Sequence, residues 1–246
     1  MKKILILCIV ALLGACSSDS TEDVSSVTNY PTFEVIGDDT IFIMQGETYT
    51  EPGVIATEGE EEIDFTTSYS GMYRGETSLN TNVSDVYTIT YSAVNRDGFT
   101  GTATRTVIVV DNGDLENSIA GLYRSTVFRN GVQGSPASNY TDMEYILIWE
   151  NEDGTYEVSD ALGGWYLLGR AIAGSASPGG LIVANNISAN DFSFPGTQTN
   201  DYFGGESHFT SLTVDNATNS LDLTTVWVAD PATTYNFNIH LEQVQF

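Results

Sequence analysis

The sequence predicts an all-β protein built from two successive β units. Short runs rich in Thr, Val, Ile and Tyr alternate apolar with polar residues, as half-buried strands do. Gly, Asn and Asp interrupt those runs at turn-like intervals. No stretch keeps the 3.6-residue apolar period of an amphipathic helix.

The chain opens on a segment that does not belong to this fold. Lys2 and Lys3 give a positive start, and Ile4 to Leu13 is an almost unbroken apolar run. That run is shorter than the ~20 residues a bilayer core requires. A basic start, a short apolar core and small residues before a cut mark residues 1–15 as a signal peptide. Its ending, Leu13-Gly14-Ala15-Cys16, resembles the lipobox of bacterial lipoproteins. The resemblance implies that Cys16 is acylated and becomes the first mature residue, anchoring the body by several acyl chains. An ordinary secretory signal with an incidental cysteine is the alternative. Residues 16–30 begin with Ser17-Ser18-Asp19-Ser20-Thr21-Glu22-Asp23, too polar to pack, and read as a flexible acidic tether. Acidic residues directly after the cysteine also resemble the export signals of Bacteroidetes lipoproteins, which implies the outer membrane and its exterior face. A plain linker remains the other reading.

Residues 31–112 form the first unit. Thr32 to Ile36 alternates and stops at Gly37-Asp38-Asp39; Thr40 to Met44 follows, ended by Gln45-Gly46-Glu47. Glu51-Pro52-Gly53 forces a turn or bulge within Tyr49 to Ala56. Ile63-Asp64-Phe65 reads as a short strand. Val86 to Tyr91 is the clearest strand, with Tyr87, Ile89 and Tyr91 on one face; Asn95-Arg96-Asp97-Gly98 turns the chain into Thr104 to Val110. About seven strands in some eighty residues suit a two-sheet sandwich. The pattern Gly46-x-x-Tyr49-x-x-Pro52-Gly53-Val54-x-Ala56, then Tyr87-Thr88-Ile89-Thr90-Tyr91-Ser92-Ala93-x-Asn95-x-Asp97-Gly98, then Arg105 to Asp111, resembles an Ig-like repeat of bacterial surface proteins and some insecticidal crystal proteins. The resemblance implies an Ig-like β-sandwich acting as spacer or adhesive module.

Asp111-Asn112-Gly113-Asp114 is polar and turn-prone, so residues 113–246 are read as a second, C-terminal all-β domain. Gly121 to Arg129 is a strand ending at Asn130-Gly131. Glu144 to Trp149 is apolar on both sides, which suits a central strand. Asn151-Glu152-Asp153-Gly154 makes a hairpin into Thr155 to Val158, and Leu221 to Val228 and Thr234 to Val244 close the sheet. The expected form is an antiparallel sandwich or a barrel-like sheet. The run Val158-Ser159-Asp160-Ala161-Leu162-Gly163-Gly164-Trp165-Tyr166-x-x-Gly169-Arg170, with Ser177-Pro178-Gly179 after it, resembles a C-terminal β domain of Bacteroides-type lipoproteins that follows the same Ig-like repeat. The resemblance implies a setting beside outer-membrane glycan-import systems of the starch-utilisation type.

Charge and residue inventory exclude several chemistries. The two cysteines are Cys8 and Cys16, so none remains in the body for a disulfide or a thiolate-held metal. Without Lys2 and Lys3, six arginines face 33 acidic residues, a balance of −27. A lysine-free body has no Schiff-base or Ser-Lys chemistry. Its charge repels nucleic acid and anionic lipid surfaces and favours neutral ligands, cations or basic partners. No P-loop, Gly-x-Ser-x-Gly elbow, His-Glu-x-x-His or Gly-x-Gly-x-x-Gly motif occurs. His208 and His240 do not form a helical metal pair, though a His-dependent triad stays open. The expectation is a non-enzyme without a cofactor. Acidic turns such as Gly37-Asp38-Asp39 and Asn112-Gly113-Asp114 offer the hard oxygen ligands that suit Ca²⁺, or are solvated turns.

The candidate site lies where glycine and aromatic residues concentrate. Trp165, Tyr166, Tyr202 and Phe203 flank glycine pairs, and exposed rings there would offer apolar platforms to the C–H faces of sugars. Arg170, Asp201, Asp160 and Asn200 are near enough in sequence to bind hydroxyls. The alternative is that these rings are core and glycine allows their close packing. Trp149 and Trp227 lie in strands and are expected in the core. The resulting expectation is a non-catalytic surface lipoprotein that binds an extracellular glycan and serves an outer-membrane transporter complex. An adhesive module docking on an outer-membrane protein is the second reading, and a glycoside hydrolase using a carboxylate pair is the third.

Overall fold

The computed structural model describes residues 27–246. The signal peptide, Cys16 and most of the acidic tether lie outside the described residues. The first unit contains β1 (Pro31–Val35), β2 (Thr40–Met44), β3 (Val54–Glu58), β4 (Glu61–Glu62), β5 (Phe65–Gly71), β6 (Asp85–Val94) and β7 (Thr100–Val110). One sheet has the order β1-β3-β4 and the other β2-β7-β6-β5; β2 runs parallel to β7 and the other pairs are antiparallel. This is an Ig-like sandwich. The alternation of β6 delivers Tyr87, Ile89 and Tyr91 to the interior, where they meet Ile43, Val107 and Val109. The strand expected at Ile63-Asp64-Phe65 is displaced: β5 starts at Phe65 and runs to Gly71. It is an edge strand whose Thr, Ser and Tyr side chains stay largely exposed, so it carries no apolar alternation.

A buried cation ties the two sheets together. Arg105 is 0% exposed. Its guanidinium donates to the carbonyls of Ile36 (2.7 Å) and Asp38 and pairs with Glu51 at 3.2 Å. Burial pushes the Glu51 carboxyl up, but donors from Tyr49, Tyr91 and the Gly53 amide, together with the Arg105 charge, hold it below its usual range. The loop through Pro52-Gly53 ahead of β3, where Gly53 has φ +114° and its amide donates to Glu51 at 3.1 Å, holds Glu51 in this position.

The second unit contains β8 (Gly121–Arg129), β9 (Val132–Gln133), β10 (Met143–Glu150), β11 (Thr155–Val158), β12 (Gly179–Asn186), β13 (Asp191–Ser193), β14 (Gln198–Thr199), β15 (Glu206–Asp215), β16 (Ser220–Asp230) and β17 (Thr233–Gln243). They form one antiparallel sheet, β13-β12-β11-β10-β8-β17-β16-β15-β14, with β9 on β8. The sheet curls on itself. At Gly180 of β12 a Cβ would fall 2.4 Å from the ring of Phe209 on β15, so glycine lets the two flanks approach. Of the two expected forms, the barrel-like one is present.

The segment between β11 and β12 fills the hollow of the curl. Ala161, Leu162, Trp165 and Tyr166 join a buried cluster with Tyr123, Val127, Ile148, Trp227, Phe237 and Ile239. Inward hydroxyls of the sheet satisfy this segment's backbone: Ser125 donates to the Gly163 carbonyl at 2.8 Å and Thr225 to the Ala161 carbonyl at 2.6 Å. In return the Leu147 amide donates to the Ser159 hydroxyl at 2.9 Å. Buried backbone without such partners would carry a desolvation cost. Outside the curl, Leu122, Leu147 and Trp149 of the second unit pack with Ile108 and Val110 of β7, and Tyr73 stacks on Trp149.

Asp160 enters this interior with the segment. Its Oδ1 accepts the Leu162 amide at 2.8 Å, yet burial outweighs the pull of the surrounding amides and raises the carboxyl to about 6. The unfolded chain loses this proton near the ordinary value of 3.8. Between these values the folded state binds the proton more tightly, so this group's contribution is full below pH ~4 and is lost as pH rises through ~6. At about 1.4 kcal/mol per unit the loss totals about 3 kcal/mol.

Two stability measurements follow from these buried charges. Arg105→Met leaves Glu51 without its cation and is expected to lower the urea unfolding free energy by about 3 kcal/mol or more. Arg124→Met removes the exposed pair with Glu144 and is expected to change it by less than ~1 kcal/mol. Asp160→Asn is expected to gain stability relative to the parent as pH rises from 4 to 7, by up to about 3 kcal/mol, in urea titrations at both ends. A constant difference across that range would contradict the assignment.

Candidate functional site

One end of the curled sheet gathers an aromatic seam and two arginines. Four elements meet there: the end of β8 with Arg129, the inserted segment with Trp165, Tyr166 and Arg170, the turn between β14 and β15 with Tyr202 and Phe203, and the start of β17 with Tyr235. Phe203 lies 4.5 Å from Tyr166 and 4.6 Å from Tyr202 between ring centroids. Trp227 packs on Tyr166 at 5.8 Å and stacks on Tyr235 at 5.4 Å, and its indole N–H donates to the Gly204 carbonyl at 3.0 Å.

The four aromatic residues expected as a platform divide into two classes. Tyr202 and Phe203 are 52% and 39% exposed. Trp165 and Tyr166 are 2% and 5% exposed, so they cannot serve as open platforms and belong to the core. The cause is local. Gly163 (φ +65°) and Gly164 (φ +82°) turn the chain inward, and a Cβ on Gly163 would fall 2.7 Å from Ile239. The other pair acts differently: Gly204 (φ +76°) stands in open space, while Gly205 (φ +79°) backs onto the Val228 carbonyl. The turn therefore projects Tyr202 outward.

The expected polar partners also divide. Arg170 is exposed, with its guanidinium carbon 5.4 Å from the centre of the Tyr166 ring. Asp201 is exposed at the same turn as Tyr202. Asn200 is fully buried; its side chain accepts the Phe203 amide at 3.0 Å and braces the turn rather than facing a ligand. Asp160 is likewise buried. Trp149 and Trp227 are core, as expected from their strands.

Arg129, Tyr140 and Tyr235 were not legible as site residues. They join Trp165 and Arg170 around the rim, and a pocket of about 470 Å³ opens between Arg129, Tyr140, Trp165, Arg170 and the Gly134-Ser135 wall. The usable signal was the scarcity of cations: each of six arginines in so acidic a chain calls for an assigned partner. A larger hollow of about 710 Å³ on the Ig-like unit is lined by Tyr49, Tyr69 and Leu79 together with small polar side chains, and Glu47 is its charged group.

Other candidate chemistries find less support in the geometry. The Asp114 carboxylate accepts the backbone amides of Glu116 and Asn117 and the side-chain amide of Asn117, which hold its pKa well below the usual range. It stabilises its own turn. Among the described residues, no cluster of three or more His, Cys, Asp or Glu is arranged to hold a metal. His240 lies 2.8 Å from Asp222 and 3.6 Å from Glu242.

Comparison with known proteins agrees with this architecture. A family model described as "Bacterial surface protein, Ig-like domain" matches residues 33–109. A second, described as a "-like, C-terminal domain", matches residues 112–243. Among solved structures, the lipoprotein BT2262 from Bacteroides thetaiotaomicron is similar over 87% of this chain and 100% of its own, with TM-score 0.61 and 28% identity. No functionally curated protein matches the chain. The second model spans more than half of the sequence, so the chain belongs to the family that carries this C-terminal domain, here preceded by an Ig-like domain of the bacterial-surface type.

Proposed function

We propose that this protein is a non-catalytic carbohydrate-binding accessory of a glycan-uptake system, held by Cys16 in the outer membrane and facing the cell exterior. The observation that carries the proposal is the exposed Tyr202–Phe203 pair, backed by the buried rings of Tyr166 and Trp227 and flanked by Arg170. Rings held in place by other rings lose little freedom when a ligand arrives, so contact area converts efficiently into affinity. A sugar has apolar C–H faces for such rings and hydroxyls for Arg170 and Asp201. The Ig-like unit serves as the spacer between anchor and binding end.

A protein partner is the second reading. It is favoured by Phe42, which packs on both Tyr145 and Phe246 where the two units meet, with Phe42 and Phe246 left exposed. Such a patch suits a docking surface on an outer-membrane protein. Co-purification that depends on Phe42 and persists without any glycan affinity would favour this reading.

The full chain, solubilised in mild detergent, is tested on a panel of plant, host and microbial glycans, with the supernatant analysed for released sugars. Saturable binding without release is expected. Tyr202→Ala with Phe203→Ala is expected to weaken binding about tenfold or more while the variant still melts as a folded protein. Trp165→Ala is expected to lower stability by about 3–5 kcal/mol, as befits a core ring. Glycan affinity untouched by the double variant would refute the platform. Cys16→Ser is expected to abolish incorporation of a labelled fatty acid and to release the protein from the membrane. Protease treatment of intact cells that leaves the parent uncut would contradict the exterior orientation.

A further inference from the structure

We infer that the pocket beside the aromatic pair binds a carboxylate-bearing sugar unit, a uronate, through Arg129 and Arg170. The inference rests on the carbohydrate reading above and names its ligand class. It runs against the net charge of the body, which disfavours anions at long range. At about 0.15 M salt that repulsion is screened beyond roughly 8 Å, so the groups lining the pocket decide what enters it.

The arginines carry the argument. Three of the six, Arg96, Arg105 and Arg124, sit in salt bridges with Glu58 and Glu61, Glu51, and Glu144. In a chain with 33 carboxylates that outcome is unsurprising. The other three have no carboxylate within salt-bridge distance among the described residues: Arg74 rests over Trp149, while Arg129 and Arg170 line one pocket together.

Arg129 is held without being neutralised. Its guanidinium carbon lies 5.1 Å from the Trp165 ring centre and 5.0 Å from that of Tyr235, and Nη1 donates to the Tyr166 hydroxyl at 3.1 Å. Arg170 rests over Tyr166 and makes no side-chain hydrogen bond among the described residues. Aromatic faces thus fix the guanidinium groups while most of their N–H donors stay uncommitted. A planar fork of donors matches the two oxygens of a carboxylate.

The pocket's size and walls fit a sugar ring. Its volume of about 470 Å³ lies within the roughly 300–1,000 Å³ of small-molecule sites. Gly134 packs so closely on Tyr140 that any Cβ would enter that ring, which gives the wall a fixed shape. The Ser135 residue on the same wall supplies a hydroxyl for the sugar. Tyr166 accepts a hydrogen bond from Arg129 and lies 4.5 Å from Phe203, so one buried ring joins the arginine side of the pocket to the aromatic pair.

The test compares oligogalacturonate, its methyl ester, a sulfated oligosaccharide and a neutral glycan that binds in the panel, by calorimetry in about 0.15 M salt. The acid form is expected to bind about tenfold or more tightly than its ester, the size of one charge-assisted contact. Arg170→Gln and Arg129→Gln are each expected to remove most of the acid's advantage over the ester, with both ligands measured on the same variant. Arg170 is exposed, so its variant keeps the fold; a thermal melt of both variants verifies it. Equal affinity for acid and ester, or arginine variants that bind the acid as the parent does, overturns the uronate assignment. Preference for the sulfated sugar over the uronate overturns it as well. If neutral glycans bind through Tyr202 and Phe203 in those cases, the carbohydrate reading stands alone. If no saccharide binds, both fall.

Discussion

The insertion of the segment between β11 and β12 into the curl of the second unit is the constraint on which the candidate site depends. A sheet rolled this far leaves a hollow that its own strand side chains do not fill, and here the chain fills it with Leu162, Trp165 and Tyr166. Inserting backbone into an apolar interior requires partners for its carbonyls, and Ser125 and Thr225 supply them from β8 and β16. Those hydroxyls sit in rows of apolar side chains, Ser125 between Tyr123 and Val127 and Thr225 between Leu223 and Trp227. The exposed features follow from this plug: Tyr166 supports Phe203, Trp165 supports Arg129, and the segment's exit carries Arg170 over Tyr166.

The rest of the molecule is stabilised under the same limits. No cysteine follows Cys16, so packing and hydrogen bonds replace the disulfides common in exported proteins. The Ig-like unit uses a fully buried arginine, with Glu51 and backbone carbonyls as its partners, to bridge between the sheets. Such a pair is not a large source of stability in itself, since desolvation offsets attraction. It does make the alternative arrangements costly, because any of them leaves a charge unpaired. In a chain so short of cations, positioning an arginine this way marks the loop at Pro52-Gly53 as a structural fixture.

Strand periodicity made much of the fold legible. Tyr87, Ile89 and Tyr91 share an interior face as their spacing implied, and Asn151 to Gly154 turns β10 into β11. Edge strands were less visible: β5 is built of exposed Thr, Ser and Tyr, whose burial pattern has no alternation to detect. Within the second unit, β12 and the long β15 were also missed. β12 opens on Gly179-Gly180, which reads as a loop, and β15 is interrupted by a register shift between Phe209 and Ser211 that breaks its alternation. The site was legible in part. Tyr202, Phe203 and Arg170 stand at the surface, whereas Arg129 was hidden because its significance lies in lacking a partner, which sequence does not display.

The two Gly-Gly pairs explain why local sequence could not separate platform from core. Both pairs adopt positive φ, and both stand beside two consecutive aromatic residues. Gly163-Gly164 precedes its aromatics, and Ile239, Val127 and Leu168 crowd it so closely that the following rings are confined inside the curl. Gly204-Gly205 follows its aromatics at a turn closed by Asn200, with open space around Gly204. The same residue types therefore give a plug in one place and an outward-facing surface in the other, and long-range neighbours decide which. What joins them is contact: Tyr166 from the first pair lies against Phe203 from the second. Contact with a rigid interior ring thereby extends to the surface, and the candidate site inherits its geometry from the core instead of from the loops that display it.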